Sequence, residues 1–338
     1  MAKIAINGFG RIGRLFLREA IGRPDMDIVA INDLGDVENL AYLLKYDTVY
    51  HAFPGSVSVV NGNLVINGKE IRFISEKDPS LLPWGNMGID VVAECSGAFE
   101  SFEKSSAHIK AGAKRVVISA PAKDEDGELG KTCLLGINES EMSSVKITSN
   151  GSCTTNACSP VIMALEEGIG IEKAFLNTTH AYTATQSLVD GPVKGKDFRR
   201  GRAAAQNTSP STTGAAISVA RAIKSMAGKF DGISIRVPNI TVSLADITFV
   251  AKRDVTPEEV NPVLMKAAAE PRFAGLLAAT SEQLVSSDII GAKVASIVNL
   301  DFTKVVGGNL VKVLAWYDNE MGYVSTLATH VEKSAKLV

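Results

Sequence analysis

Cys153 has the surroundings of a nucleophile. It stands in Ser152-Cys153-Thr154-Thr155-Asn156, ahead of a helical pattern in which Val161, Ile162 and Leu165 share a face and Pro160 falls in the first turn. A cysteine at a helix amino terminus faces backbone N–H groups and the positive end of the helix dipole, both of which favour the thiolate, the nucleophilic form. Cys158 falls inside the same helix and, like Cys95 and Cys133, reads as a small buried hydrophobe. His180, one of four histidines, lies on the alternating segment Ala174 to Tyr182. Beside a thiolate it would form an ion pair, accept a hydroxyl proton as hydride departs and return a proton later. A lone histidine is more often structural, and spacing alone does not bring His180 to Cys153.

A second chemical signal lies at the amino end. Gly8-Phe9-Gly10-Arg11-Ile12-Gly13 follows an apolar strand pattern and opens a helical one, the setting in which G-x-G-x-x-G binds a dinucleotide. One glycine makes the turn, one lets a pyrophosphate reach the backbone, and one lets helix and strand pack closely, while the helix amino terminus attracts the phosphates. Asp33 ends the next strand at about the 20-residue separation expected of the acid that binds the ribose hydroxyls. A 2′-phosphate would be repelled there, so the spacing favours NAD over NADP.

The elements that must hold these groups divide the chain. Lys3 to Asn7 reads as a strand, Ile12 to Ile21 as a helix and Ile28 to Asn32 as the next strand, with further strands at Ile89 to Ala93, Arg115 to Ser119 and Lys146 to Thr148. This is the alternation of a doubly wound parallel sheet. Ser56 to Ile74 carries Asn61-Gly62 and Asn67-Gly68, hairpin turns of an antiparallel insertion. The second half has longer alternating runs at Ala174 to Ala181, Gly232 to Val237, Thr241 to Lys252, Lys293 to Phe302 and Leu310 to Tyr317, with helices expected from Ser211 to Ala227 and Pro257 to Glu270. That predicts a mostly antiparallel sheet. The fold class is therefore α/β, a Rossmann sheet followed by an α+β domain, with the boundary near Gly151 and an amphipathic helix after Asn319.

At 338 residues the chain exceeds what one core organises, which fits two domains. A net charge of -2 argues against nucleic acid or an anionic membrane as partner. Four scattered cysteines make neither a disulfide framework nor a zinc pair, so a reducing, cytoplasmic location and no metal are expected.

The wording of several segments resembles one family over essentially the whole chain. Ser149 to Asn156, His180-Ala181-Tyr182-Thr183, Arg202 to Asn207, Thr213-Gly214-Ala215-Ala216, Arg236-Val237-Pro238 and Trp316 to Glu320 are similar to glyceraldehyde-3-phosphate dehydrogenase. The resemblance implies Cys153 as nucleophile and His180 as its base, with oxidation of D-glyceraldehyde 3-phosphate to 1,3-bisphosphoglycerate at the expense of NAD and inorganic phosphate. It implies that Thr183 and Arg236 hold the substrate phosphate, and that Ser152, Thr154, Arg200, Thr213 and Gly214 surround the attacking phosphate. It implies cofactor contacts from Gly8, Gly10, Arg11, Ile12, Gly13, Asp33, Lys77, Ser119 and Asn319. It further implies a homotetramer, in which residues 1–151 bind NAD, 152–318 form the catalytic and tetramerisation domain, 319–338 pack back on the first domain, and Thr183 to Gln206 lie against a neighbouring subunit's cofactor. The chain departs from the family's wording at Gly151, Ala157, Asn239-Ile240, Met321 and around Gly195, and none of these changes removes a catalytic group. Two alternative readings are an erythrose-4-phosphate dehydrogenase, disfavoured by the His180 to Thr183 wording, and a nucleotide-binding relative without turnover, disfavoured by Cys153, His180 and Arg236 together.

Overall fold

Ile4-Ala5-Ile6 carries no polar alternation because its strand has a parallel neighbour on each side. β1 (Ala2–Asn7) pairs with β2 (Met26–Asn32) and β6 (Val91–Glu94), and Ile4 to Ile6, Ala30 to Ile31 and Val91 to Ala93 are buried. The computed structural model describes residues 1–193 and 195–338. Lys194, inside the segment expected to lie against a neighbouring subunit, falls outside the described residues.

In the first compact unit (Met1–Cys133, Asn138–Gly151 and Val324–Val338) the sheet is completed by β3 (Val57–Val60), β4 (Asn63–Ile66), β5 (Lys69–Ile74), β7 (Arg115–Ile118), β8 (Gly130–Thr132) and β9 (Ile147–Ser149). The strand order is β3-β4-β5-β2-β1-β6-β7-β9-β8. Asn61, Gly62, Asn67 and Gly68 all have positive φ, as two-residue hairpin turns require. The strands of this antiparallel insertion also extend the main sheet, because β5 pairs in parallel with β2. Helices α1 (Arg11–Ala20), α2 (Val37–Lys45), α3 (Trp84–Met87) and α4 (Phe102–Lys110) connect these strands. Asp36 and Ser101 cap α2 and α4 through Asn39 N–H and Lys104 N–H.

The second unit (Leu134–Ile137 with Ser152–Tyr323) contains α5 (Cys153–Gly168), β10 (Ile171–Ala181), β11 (Ser209–Thr212), α6 (Ala215–Ala222), β12 (Phe230–Val237), β13 (Ser243–Ala251), α7 (Pro257–Ala268), β14 (Leu277–Thr280), β15 (Ser296–Val306) and β16 (Leu310–Tyr317). Its sheet runs β11-β12-β10-β13-β16-β15-β14, mixed but mostly antiparallel. The strict burial alternation along β13 and β16 turns one face toward α5 and leaves the other partly open.

Two local expectations need correction. The helix expected from Ser211 begins only at Ala215, because Ser211 and Thr212 pair with Ser234 and Ile233 at the sheet edge and Gly214 interrupts the run. Pro160 lies well inside α5 rather than in its first turn. It removes one rung of the helix ladder, and the helix holds because Val161, Ile162 and Leu165 are fully buried.

The last helix, α8 (Met321–Ala335), belongs to the first unit from Val324 onward. His330 on α8 donates from Nδ1 to Asn150 Oδ1 at 3.0 Å and accepts from Thr148 Oγ1 at 2.8 Å. Burial pushes this imidazole down to about 3. Since the folded value lies below the unfolded one of about 6.5, His330 contributes its stability fully above pH 6.5 and loses it as pH falls toward 3, at about 1.4 kcal/mol per pH unit. His330→Gln should therefore flatten the fall in urea midpoint between pH 6.5 and 4.5. An unchanged pH slope would show that His330 takes up its proton while folded.

Candidate active site

Ser152 fixes the start of α5. Its Oγ accepts from Thr155 N–H at 3.0 Å while Thr155 Oγ1 accepts from Ser152 N–H at 3.1 Å, a reciprocal cap that makes Cys153 the first helical residue. Gly151, just before it, has φ +64°, a conformation that glycine adopts without strain. Cys153 Sγ lies 3.4 Å from His180 Nε2.

His180 stands near the end of β10, and its register partner on the parallel strand β12 is Arg236. That pairing brings Arg236 Nη1 to 2.7 Å from His180 Nδ1 and to 3.1 Å from the Ala181 carbonyl, which also lies 2.7 Å from Nδ1. Arg236 and the Ala181 carbonyl make opposite demands on Nδ1, the guanidinium calling for a lone pair there and the carbonyl for a proton. The tautomer with Nδ1–H on the carbonyl is the one that leaves the Nε2 lone pair toward the thiol. Burial, followed by the charge of Arg236, pushes His180 down to about 3, while the Ala181 carbonyl acts in the opposite sense. Burial also raises the Cys153 thiol, against the lowering effect of Arg236 and Thr154. Both shifts oppose the standing thiolate expected at a helix terminus and favour a neutral thiol–imidazole pair, with a proton acceptor in position for the attack.

Sequence reasoning did not single out the groups behind this pair. Tyr317 Oη is 2.9 Å from Thr154 Oγ1 and 2.7 Å from Thr178 Oγ1, and its ring meets His180 edge-on at 6.0 Å. Ser243 Oγ accepts from Ala181 N–H at 3.1 Å and donates to Asn319 Oδ1 at 3.0 Å, which fixes the direction of the Asn319 amide. Thr178, two residues before His180 on one strand face, was the available signal.

Of the expected anion residues, Arg200 shares a cleft with Arg236, while Thr183, Thr213 and Gly214 are held by local contacts. Arg200 donates to Thr185 Oγ1 at 2.9 Å and Ser211 Oγ at 3.1 Å, and it shares a cleft with Gln186, Arg199, Ser209, Pro210, Ser211 and Arg236. Arg199 donates to Asp197 at 2.7 Å and is more exposed than Arg200, whose Nε also lies 3.6 Å from that carboxylate. Thr183 Oγ1 lies 2.9 Å from Thr185 Oγ1, Thr213 Oγ1 accepts from Ala215 N–H at 3.2 Å, and Gly214 caps α6.

In the first unit, a cleft of about 390 Å³ is lined by Asn7, Gly8, Gly10, Asn32, Asp33, Lys77 and Ser96, among others. A Cβ at Gly8 would overlap the Ser96 backbone and one at Gly13 the Gly8 carbonyl, whereas one at Gly10 would meet nothing within 4 Å. These are the three glycine roles of a dinucleotide loop, with the open position where a pyrophosphate approaches. Asp33 Oδ2 accepts from Phe9 N–H at 2.5 Å and Oδ1 from Gly35 N–H at 2.7 Å, so the carboxylate is held at the cleft edge. Arg11 and Ile12 open α1, the Arg11 side chain turning away to Asp47, and Ser119 N–H donates to the Glu94 carbonyl at 2.9 Å.

Residues 2–102 match the family model described as glyceraldehyde 3-phosphate dehydrogenase, NAD binding domain, and residues 152–319 the one described as the C-terminal domain. The chain is similar to glyceraldehyde-3-phosphate dehydrogenases of Clostridium pasteurianum (45% identity, covering 100% of this chain and 99% of that protein), Geobacillus stearothermophilus (46%, 95% and 94%) and Thermotoga maritima (47%, 100% of both).

Proposed function

The chain belongs to the glyceraldehyde-3-phosphate dehydrogenase family, and from that premise we propose that it carries out the NAD-dependent oxidative phosphorylation of D-glyceraldehyde 3-phosphate on Cys153. The observation that carries this reading is the 3.4 Å approach of Cys153 Sγ to His180 Nε2 with Arg236 alongside.

The Cys153 proton passes to His180 Nε2 as sulfur attacks the aldehyde carbon, and the imidazolium returns it to the new alkoxide, giving a thiohemiacetal. Bound NAD supplies the hydride acceptor. His180 takes the hydroxyl proton as the carbon is oxidised, leaving a thioester on Cys153. An oxygen of hydrogen phosphate then attacks the thioester carbonyl and gives up its proton to solvent, the C–S bond breaks, and Cys153 leaves as thiolate and recovers the proton held on His180. Arg236 with Thr183 holds the substrate phosphate, and Arg200 with Ser152, Thr154, Thr213 and Gly214 holds the attacking one. Guanidinium forks and hydroxyls suit both anions. Asp33, Lys77, Ser119, Arg11, Ile12 and the three glycines would hold NAD, with Asn319 serving its nicotinamide amide.

Residues 1–151 serve as the NAD-binding domain and 152–318 as the catalytic and tetramerisation domain of a cytoplasmic homotetramer. The outer sheet face supports assembly: Phe175, Ile233 and Phe302 are exposed, and the buried atoms Asn177 Oδ1, Asp246 Oδ1 and Trp316 Nε1 have no partner among the described residues. Free cysteines accord with the cytoplasm.

NADH formation from glyceraldehyde 3-phosphate, measured with and without inorganic phosphate, tests the function. Sustained turnover should require phosphate. Phosphate-independent turnover would indicate hydrolysis of the thioester, and no turnover a binding protein. Iodoacetamide tests the nucleophile: Cys153 should be labelled well before Cys95 and Cys133, whose thiols burial pushes up to about 12, and before the fully buried Cys158. Uniform labelling of the four by peptide mapping would sink the covalent route.

A further inference from the structure

Beneath the glycine loop lies a set of buried polar side chains that the mechanism does not use. Glu94 ends β6 and is only 2% exposed, yet among the described residues its carboxylate is met by neutral donors and not by lysine or arginine. Its Oε2 accepts from Asn7 Nδ2 at 2.5 Å and from His108 Nε2 at 2.9 Å, and its Oε1 accepts from Ser96 N–H at 2.8 Å and from the Ser96 hydroxyl. His108 must carry its proton on Nε2, because Trp84 Nε1 donates to Nδ1 at 3.0 Å.

The donors all run one way. Glu76 N–H donates to Asn32 Oδ1 at 2.9 Å, Asn32 Nδ2 to Asn7 Oδ1 at 2.7 Å, and Asn7 Nδ2 to Glu94. On the other side Ala98 N–H donates to Ser96 Oγ at 3.1 Å, and Ser96 donates to Glu94. Both chains end on one acceptor-only group. Asn7, Asn32, Glu76, Ser96 and Ala98 line the dinucleotide cleft, and Gly8 lies against the Ser96 backbone with no room for a Cβ. The sequence places the two amides directly before Gly8 and Asp33.

We propose that Glu94, held from behind by His108 and Trp84, is the positioning residue of the dinucleotide cleft: its buried carboxylate sets the direction of both hydrogen-bond chains and thereby the seats of the glycine loop and of the Glu76–Lys77 wall. This rests on the cleft being the NAD site. A glutamine at this position has one acceptor oxygen and one amide NH2: turned toward Asn7 and His108 the NH2 meets two donors, and turned toward Ser96 it meets a backbone N–H and a hydroxyl that must rotate to accept, which breaks that chain's direction. Reorienting Asn7 to relieve the clash passes it to Asn32 and then to Glu76 N–H, a backbone donor that cannot reverse.

Titration calorimetry of Glu94→Gln with NAD and, separately, ADP-ribose reads the effect without turnover. Both ligands should lose at least about tenfold in affinity by the same factor, as expected when buried bonds to a charged group are lost. Alkylation of Cys153, which lies in the other unit, should stay within about twofold of the unmodified rate, a margin of about 0.4 kcal/mol. Lowered thermal stability with unchanged affinity for both ligands would overturn the proposal by making Glu94 a core residue only. If the unmodified protein binds neither ligand, the reading of the cleft fails instead. Should Glu94→Gln not fold, Trp84→Phe removes the N–H that fixes the His108 tautomer, at the cost of a cavity at a fully buried position; an equal loss of affinity for both ligands supports the chain, and unchanged affinity overturns it.

Discussion

Replacing His180 by asparagine should slow thiol alkylation and oxidation of the aldehyde together, by about 10²–10⁴-fold for the oxidation, the usual contribution of a positioned acid–base group. The first reason is geometric: Nε2 faces Cys153 Sγ at 3.4 Å, and Nδ1 is 2.7 Å from the Ala181 carbonyl that orients the ring. The second is electrostatic. With the imidazole pushed down to about 3, it is neutral across the working pH range, and an acceptor is therefore available for the thiol proton and later for the hydroxyl proton. Asparagine fills similar space but offers no basic nitrogen. Affinity for NAD should stay nearly constant, because the cleft residues lie in the first unit. Single-turnover NADH formation and iodoacetamide rates measured in the same protein decide it. A loss below about tenfold, under 1.4 kcal/mol, would assign His180 to packing beneath Tyr317.

Much of the architecture was legible because burial leaves a pattern. A central parallel strand such as Ile4-Ala5-Ile6 shows an unbroken apolar run, and the half-buried β13 and β16 show alternation. The short strands β8 and β14 left no such trace: three or four residues are too few for a period. α2 and α4 carry capping signals in Asp36 and Ser101, but exposed Tyr42 and Leu43 blur the buried face of Leu40, Ala41 and Leu44 on α2, and α4 buries the polar Ser105 and His108 beside Phe102. The chemistry was legible by residue type and not by distance. Nothing in the spacing of Cys153, His180 and Arg236 shows that β10 and β12 run parallel in a register that makes His180 and Arg236 neighbours. The Glu94 chains were invisible for the same reason, since they join the ends of strands that are adjacent only in space.

Arg236 carries the prediction that separates a triose-phosphate enzyme from a general aldehyde dehydrogenase built on the same cysteine. Arg236→Leu should lower kcat/KM for glyceraldehyde 3-phosphate by at least about tenfold, because a charged, bidentate contact is worth roughly 1.5–3 kcal/mol. Unphosphorylated glyceraldehyde is the natural control, yet the structure shows that it is not a silent one. Nη1 lies 2.7 Å from His180 Nδ1, and the guanidinium charge lowers both His180 and Cys153. Removing that charge should let the imidazole bind a proton more readily and leave the thiol higher. Some loss is thus expected for both substrates, and the extra loss for the phosphorylated one measures the phosphate contact. Arg236→Lys divides the two effects further: it keeps a positive charge near the pair and gives up the planar fork. The four kcat/KM values for the unmodified and Arg236→Leu proteins form a coupling cycle. If both substrates lose the same factor, Arg236 acts on the Cys153–His180 pair and not on the substrate phosphate, and the phosphate must be held elsewhere.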